Sequence, residues 1–324
     1  MANSVYSNAR AKALENYLLG KERLNRMAES ENAEDALRIL SEVNFGDGIT
    51  LDNTNDFERL IDVEREKLFD FIREVAPSED LKKYFLLKND FHNAEAGIKA
   101  KYLKIDETKM TVSNGLIDKD LLKEKILIDE YKDFPEEMAN ALLKCDEAFV
   151  SGKANGAFVG RIFKQAYYSE LSKCASKNKA LKELFAVKVD CVNIGTAMRS
   201  RDFEVTKSSM VFGGSLKEDD LKFLCEESFE VIKERFKFHK LANIIEAAAT
   251  AASSEKPLSD FETLADGYAL SYLKKFKYSS DGVYPFLLYV FYKLAELDNV
   301  RIILVGLLSG HSAIEIKGRL RESY

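Results

Sequence analysis

Apolar residues recur at spacings of three and four residues in three long segments of the chain, which is the pattern of one face of an amphipathic helix. The segments centre on residues 85–93, 185–193 and 291–299, and each has Phe first, then an acid, then Asn, at constant internal spacing. The shared residues are Phe85, Phe185 and Phe291; Asp90, Asp190 and Glu296; and Asn93, Asn193 and Asn299. We therefore predict three long helices of related sequence, called the repeat helices below.

The repetition also predicts how the chain is divided into domains. Asn114-Gly115 and Gly213-Gly214 lie between the copies, and both dipeptides are typical of turns. The predicted domains are residues 1–113, 114–212 and 213–324. A repeat of about 100 residues is longer than the roughly 33 to 47 residues of the common two-helix repeats, which disfavours a solenoid of that kind.

Residues that break helices are scarce, since the 324-residue chain has 4 Pro and 16 Gly. This composition favours an all-α fold. The best strand candidate is residues 202–206, which alternate polar and apolar side chains over a short stretch. Ser78 and Asn178 are predicted N-caps of the first two repeat helices, and Pro285 is predicted to lie in the first turn of the third.

The polar residues of the repeat helices allow two interpretations. In the first, Phe packs in the core while the acid and the nearby Lys lie in solvent. In the second, the three Asn side chains share a role, such as bonding a neighbouring backbone. His92 is replaced by Val192 and Asp298 in the other copies, so it is either a local packing residue or a partner contact unique to the first copy.

Charge and cysteine content narrow the classes of partner. The net charge is -6 and the sequence pI is near 5.5, whereas nucleic-acid binding needs a basic stripe. The four cysteines form no C-x-x-C pair, which favours buried free thiols in a reducing cytoplasm. There is no signal-peptide pattern, and the longest uncharged apolar run, residues 283–292, is too short to span a bilayer. We expect no nucleic-acid partner and no direct membrane insertion.

The sequence contains none of the common catalytic signatures. It has no phosphate-binding loop, no G-x-G-x-x-G, no H-E-x-x-H and no G-x-S-x-G elbow. The three histidines are far apart in sequence, which disfavours a zinc site. An all-α enzyme would need paired carboxylates on facing helices, and no such motif is present. We predict no catalytic residue, no cofactor and no metal site.

Several segments resemble the C subunit of the V-type and A-type rotary ATPases, the counterpart of the d subunit in the eukaryotic V-ATPase. The most specific are residues 87–93, Leu-Lys-Asn-Asp-Phe-His-Asn, and residues 299–304, Asn-Val-Arg-Ile-Ile-Leu. Residues 6–14 and 319–324 add to a resemblance that spans essentially the whole chain. The third copy has Leu294 where the first two have Lys, so no role of that Lys can hold in all three copies.

The resemblance implies a non-catalytic rotor component of the central stalk. Its fold would be all-α, with three similar helical domains in a pseudo-threefold, funnel-like arrangement. It would be the socket that links the D and F subunits of the central shaft to the membrane proteolipid ring, and it would transmit torque for ion transport or ATP synthesis. It would be cytoplasmic and peripheral to the membrane through this complex. The alternative is a helical-repeat adaptor of another assembly.

Basic residues lie near the ends of the first two repeat helices. They are Lys99, Lys101, Arg199 and Arg201. Because they pair at similar places in two copies, they are possible contacts for the shaft or the ring. The other interpretation is that they are the ordinary basic residues that favour helix C-termini.

Overall fold

All regular structure in the described residues is helical, which confirms the all-α prediction. The structure is a computed structural model that describes residues 2–106, 110–254, 256–279 and 282–324. The helices of the first half are α1 (Ala2–Glu15), α2 (Gly20–Ala28), α3 (Ala33–Ser41), α4 (Glu58–Val75), α5 (Glu79–Leu103), α6 (Lys119–Leu127), α7 (Glu136–Val150) and α8 (Gly156–Ala175). Those of the second half are α9 (Lys179–Ser200), α10 (Phe203–Ser209), α11 (Glu218–Glu226), α12 (Phe229–Phe236), α13 (Ala242–Ser253), α14 (Ser259–Lys274), α15 (Tyr284–Leu308) and α16 (Ala313–Arg319). A 3₁₀ turn, Thr54–Phe57, precedes α4.

The repeat helices are α5, α9 and α15, and local sequence signals fix where they begin. The Ser78 hydroxyl accepts a hydrogen bond from the Leu81 N–H, and the Asn178 side chain caps α9 in the same way. Pro285 lies in the first turn of α15, where a missing N–H leaves no bond unmade. These three predicted helix starts are confirmed.

The chain forms two compact units. One is Ser78–Ser253, and the other joins Met1–Pro77 to Ser254–Tyr324. The division into residues 1–113, 114–212 and 213–324 rests on the sequence repeat and stays a prediction. The threefold, funnel-like arrangement also stays a prediction.

In the unit Ser78–Ser253, each repeat helix packs mainly against helices that follow it. Helix α5 contacts α6, α7 and α8, and α9 contacts α10, α11 and α13. Phe91 and Ile98 of α5 lie in one apolar cluster with Met138 and Phe163, all of them buried. Burial of these side chains is the main force that holds the bundle together.

In the other unit, α15 is the central element. It contacts α1, α2, α3 and α4 from the beginning of the chain, and α14 and α16 from its end. Val300 and Leu304 are fully buried and share a cluster with Leu24 and Ile61. Because α15 is covered on most sides, its sequence is apolar nearly all round rather than on one face.

The predicted strand at residues 202–206 is wrong, because α10 occupies this segment. The Asp202 carboxylate accepts a hydrogen bond from the Val205 N–H at 3.1 Å and so caps the helix. Thr206 is fully buried and bonds the Ser200 hydroxyl at 3.0 Å. An N-cap residue therefore outweighed a short alternation of polar and apolar side chains.

Candidate functional site

The shared polar residues of the three repeat helices are buried. Asp90 and Asp190 are 0% exposed and Glu296 is 3% exposed. The three Asn side chains are also buried, whereas Lys88 and Lys188 are exposed. The first interpretation, which placed the acid in solvent, is therefore wrong on this point. Buried charges of this kind need specific partners.

The Asn side chains of the first two repeat helices bind the backbone of the segment that follows each helix. The Asn93 amide donates to the Val112 carbonyl at 2.8 Å and accepts from the Val112 N–H at 2.8 Å. Asn193 makes the same pair with Val211, at 2.8 and 3.0 Å. A side-chain amide has the donor and acceptor of a peptide group, so each Asn binds both backbone groups of one residue. This is the arrangement that the second interpretation describes.

The acids of the first two copies bind the same segments a few residues further on. Asp90 accepts from the N–H groups of residues 116–117 at 3.0 and 2.9 Å. Asp190 accepts from the N–H groups of Ser215 and Leu216 at 2.8 and 2.9 Å, and from the Ser215 hydroxyl at 2.6 Å. Backbone donors thus offset the buried charge. Acid and Asn together close one loop over each helix, called the closing loops below: residues 112–117 and 211–216.

The glycines at the predicted seams are required by these contacts. A Cβ on Gly115 would lie 2.1 Å from an Asp90 carboxylate oxygen, and one on Gly214 would lie 2.2 Å from the equivalent oxygen of Asp190. Real side chains do not approach so closely, so only glycine lets the carboxylate lie against the backbone. The sequence predicted the Gly-containing turns, but it did not show that a buried carboxylate requires glycine there.

The third copy keeps the Asn pair and changes the partner of the acid. Asn299 donates to the Arg321 carbonyl at 3.0 Å and accepts from the Arg321 N–H at 2.6 Å. Glu296 accepts from the N–H of Leu19, which is 277 residues away in sequence. The shared acid therefore binds backbone in all three copies, but in the third it reaches a distant part of the chain.

A buried lysine accompanies this acid. Lys293 Nζ lies 2.7 Å from a carboxylate oxygen of Glu296 and 2.7 Å from one of Glu64. Glu64 also accepts from the Gly46 N–H at 3.0 Å and from Lys67 at 2.6 Å. The three charges are buried in a mutually paired group, called the Lys293 triad below.

Burial and pairing act in opposite directions within the triad. For Glu64, burial opposes ionisation, but Lys293, Lys67 and Gly46 outweigh it and lower the pKa below 4.5. For Glu296, burial dominates over Lys293 and raises the pKa. For Lys293, burial is outweighed by Glu296 and Glu64, so the pKa of the ammonium group is raised.

Sequence reasoning missed the Lys293 triad. The available signal was a lysine directly after the apolar run of residues 283–292, three residues before an acid. The first two copies have Leu87 and Val187 at the position of Lys293, so comparison of the copies marks the lysine as special to the third. Nothing in the sequence points to Glu64 as its second partner.

The shared Phe residues occupy one position but differ in burial. Phe185 is buried, and its ring edge would lie 2.6 Å from a Cβ placed on Gly213. Phe85 and Phe291 are half-buried, and Phe85 contacts the edge of the Tyr84 ring with centroids 5.3 Å apart. The Phe position is therefore at least half-buried in each copy but differs in burial among the copies.

His92 lies exposed on α5 and bonds its own chain. Its Nε2 lies 2.7 Å from the main-chain oxygen of Met110. The contact joins the helix to the segment that leads into the first closing loop. A role of His92 in binding a partner stays a prediction.

The predicted basic contacts have partners within the protein. Lys99 pairs with Glu95 on its own helix. Lys101 pairs with Asp129 and, at 3.1 Å, with Asp146. The contact between Lys101 and Asp146 ties the end of α5 to α7.

The two basic residues at the end of the second repeat helix, Arg199 and Arg201, lie in different surroundings. Arg201 donates to the Leu224 carbonyl at 2.6 Å and lies over the Phe229 ring, 4.6 Å from its centroid. Arg199 is exposed near the end of α9. A role of any of the four basic residues in partner binding stays a prediction.

The remaining chemistry-bearing groups are buried or dispersed. All four cysteines are free and buried, as predicted, and burial raises the pKa of the Cys145 thiol to about 12. Among the described residues, no three or more His, Cys, Asp or Glu side chains are grouped so as to hold a metal ion. No helix in the described part of the chain combines the length and low charge needed to cross a bilayer. Among the described residues, the polar arrangement that recurs is the buried acid and Asn of the three repeat helices, which bind the backbone of other segments.

Comparison with known proteins finds a matching family model and several similar proteins. The family model described as ATP synthase (C/AC39) subunit matches residues 7–319. The C subunit of the V-type sodium ATPase of Enterococcus hirae is 22% identical over 321 residues, covering 95% of this chain and 94% of that protein. The C subunit of the A-type ATP synthase of Pyrococcus horikoshii is 24% identical, covering 83% of this chain and 81% of that protein. The C subunit of the V-type ATP synthase of Thermus thermophilus is 22% identical, covering 71% and 73%.

Proposed function

We propose a function from the premise that this chain belongs to the ATP synthase (C/AC39) subunit family. Its role is that of a non-catalytic central-stalk component of a V-type or A-type rotary ATPase. It is the socket that links the shaft, made of the D and F subunits, to the membrane proteolipid ring, and it turns with them. It is cytoplasmic and peripheral to the membrane through the complex. The family match over nearly the whole chain is the observation that carries the proposal.

The bound repeat helices support a mechanical role. A socket that carries torque must resist bending, and close-packed helices transmit strain because their interiors have little free volume. The repeat helices are 25, 22 and 25 residues long. Near its middle, each helix is bound to a second segment by the two hydrogen bonds of one Asn side chain and by a carboxylate. These contacts hinder sliding and bending of a long helix. They contribute to rigidity without providing a reactive group.

A pseudo-threefold, funnel-like arrangement of three helical domains would suit this role. Three similar lobes can grip a helical shaft around its circumference. The repetition of the Asn pair at Asn93, Asn193 and Asn299 supports a common origin of the lobes. We retain the arrangement as part of the proposal.

The surfaces that meet the shaft and the ring are proposed to be polar and salt-sensitive. His92, Lys99, Lys101, Arg199 and Arg201 are the candidate contacts. Reversing the charge of the four Lys and Arg residues tests them, and a variant that exchanges Lys for Arg and Arg for Lys is the matched control. If the charge-reversed protein stays folded and still assembles as well as the control, these residues are not partner contacts.

Co-purification tests the function itself. A tagged form of this chain, expressed with the rest of the complex, is expected to recover the D and F subunits and the proteolipid ring. Deletion of its gene is expected to uncouple ATP hydrolysis from ion transport, since the catalytic sites lie on other subunits. Recovery of other proteins without D, F or the ring would contradict the proposal and favour an adaptor of another assembly.

A further inference from the structure

Two of the repeat helices pack against surfaces of the same construction. Helix α5 contacts the three helices α6, α7 and α8, and α15 contacts the three helices α2, α3 and α4. The acid of each repeat helix binds the backbone where these helices begin. Asp90 accepts from the Ile117 N–H, two residues before α6, and Glu296 accepts from the Leu19 N–H, directly before α2. Because α6 and α2 are also equal in length, at nine residues, the two surfaces resemble each other.

The order of the helices along the chain makes α5 a competitor of α15 for the surface of α2–α4. Helix α4 ends at Val75 and α5 begins at Glu79, so α5 directly follows this surface in sequence. Lys293 of α15 lies 229 residues away from Glu64 of α4. Contacts between nearby segments form with a smaller loss of chain entropy, and misassembly of similar units is a characteristic error of repeat proteins. Correct pairing therefore needs a feature that α15 has and α5 lacks.

The Lys293 triad is such a feature, because it places buried charge at the contact between α15 and α4. Lys293 lies 2.7 Å from Glu64 across the contact and 2.7 Å from Glu296 on its own helix. Its ammonium group also lies 5.1 Å from the centroid of the Phe45 ring, in the segment that leads to α4. The three charged residues are at most 7% exposed. The surface of α2–α4 thus provides an acceptor and an aromatic face for a buried lysine.

Helix α5 has no lysine to place there. Its residue at the position of Lys293 is Leu87, which is 2% exposed and lies in the apolar cluster with Met138 and Phe163. If α5 packed on α2–α4, Leu87 would cover the Glu64 carboxylate without pairing its charge. A buried charge that lacks its partner is strongly destabilising. Glu64 therefore disfavours α5 on this surface, although α5 is the nearer helix in sequence.

We propose that the Lys293 triad is a pairing determinant, which disfavours packing of α5 on α2–α4 and favours packing of α15 there. Specificity of this kind comes from the cost of the wrong pairing as much as from the gain of the right one. The triad as a whole adds little net stability, because the gain from pairing is set against the cost of removing three charges from water. Its effect is on which helices pair, and this property does not depend on the proposed function.

A variant without charge in the triad tests the proposal in the full chain. It combines Lys293→Leu, Glu64→Gln and Glu296→Gln, which keep the acceptors for the Gly46 and Leu19 N–H groups. Hydrogen-exchange pulse labelling during refolding from urea measures the fraction of chains in which α2–α4 and α5 are protected before α15. We expect this fraction to be at least about threefold larger than in the unchanged protein. An unchanged fraction in a folded variant overturns the proposal.

A second ion pair between the same two helices provides the matched control. Arg301 of α15 and Glu58 of α4 are bound through two hydrogen bonds, but their side chains are 39% and 44% exposed. A wrong pairing does not bury these charges, so the combination Arg301→Met and Glu58→Gln is expected to leave the fraction unchanged. If the control raises the fraction as much as the triad variant does, loss of any ion pair suffices and the proposal fails.

The single change Glu64→Gln keeps the test decisive if the combined variant does not fold. Lys293 then retains Glu296 at 2.7 Å, and the Gly46 N–H retains an acceptor. Because Leu87 would no longer cover a charge, we expect the fraction to rise by about twofold. No rise above the value of the control overturns the proposal.

Discussion

The buried acids of the first two repeat helices and the buried acid of the third perform one task with different chemistry. For Asp90 and Asp190, backbone N–H groups of a nearby loop offset the cost of burying the charge. Glu296 has one such N–H and a buried lysine. A buried carboxylate can therefore keep its position in a repeat while the source of its compensating charge is exchanged. The position of the acid is preserved among the copies, but its energetics are not.

Removal of the lysine should produce the largest effect, because it leaves two carboxylates buried without their common partner. We expect Lys293→Met to destabilise the protein by about 3–5 kcal/mol in urea unfolding. Lys67→Met is the control, since this half-exposed lysine also contacts Glu64 and should cost below about 1 kcal/mol. Similar losses in the two variants would contradict the view that the third copy depends on a buried cation.

The seam glycines should come next. Gly214→Ala forces a Cβ into the Asp190 carboxylate, and we expect a loss of about 3 kcal/mol in the free energy of unfolding. Gly115→Ala should behave alike. Gly267→Ala is the control, because a Cβ there meets nothing within 4 Å and Ala favours a helix, so stability should rise by about 0.5–1 kcal/mol. Tolerance of alanine at both seams would mean that the carboxylates do not need the close backbone approach.

Removal of the Asn side chains tests what the copies have in common. Asn93→Ala, Asn193→Ala and Asn299→Ala each leave one backbone donor and one acceptor unpaired, so we expect losses of about 1–3 kcal/mol of similar size. Asn89→Ala is the control, since Asn89 only donates to the Asn114 carbonyl and, more weakly, to the neighbouring one. A loss at one Asn far larger than at the other two would break the common role.

The pH dependence of stability should show the smallest effect, with opposite signs for the two glutamates. The lowered pKa of Glu64 contributes stability above 4.5 that is lost as the pH falls through the folded-state pKa. Glu64→Gln should therefore flatten the loss of stability on acidification. The raised pKa of Glu296 contributes in the other sense, since its stability is present below 4.5 and is lost as the pH rises through the folded-state pKa. Glu296→Gln should remove that loss, and urea unfolding from about pH 3 to about pH 7 measures both. Equal slopes in the two variants would contradict the assignment.

The sequence predicted the parts of the fold that depend on local signals. Ser78, Asn178 and Pro285 mark helix starts through bonds within one turn, so their roles follow from residue type and position. The scarcity of Pro and Gly gave the all-α class, and the apolar spacing gave the three repeat helices. The segment at residues 202–206 failed because two local signals competed and the cap at Asp202 decided the outcome.

The sequence could not predict the long-range polar contacts. An acid on a helix is usually exposed, so one interpretation of the sequence placed the three acids in solvent, although they are buried here. The bond from Leu19 to Glu296 joins residues 277 apart, and no spacing rule connects them. Recurrence of the acid and the Asn in three copies was the only sequence signal of their importance.

An electron-microscopy reconstruction of the complete rotary ATPase with this chain in place tests the account most directly. The account predicts density for the chain on the rotor axis, between the D and F shaft and the proteolipid ring. It also predicts that Asn93, Asn193 and Asn299 are related by rotations near 120° about that axis. A chain that lies at the periphery of the complex, or three Asn residues without such a relation, would contradict it.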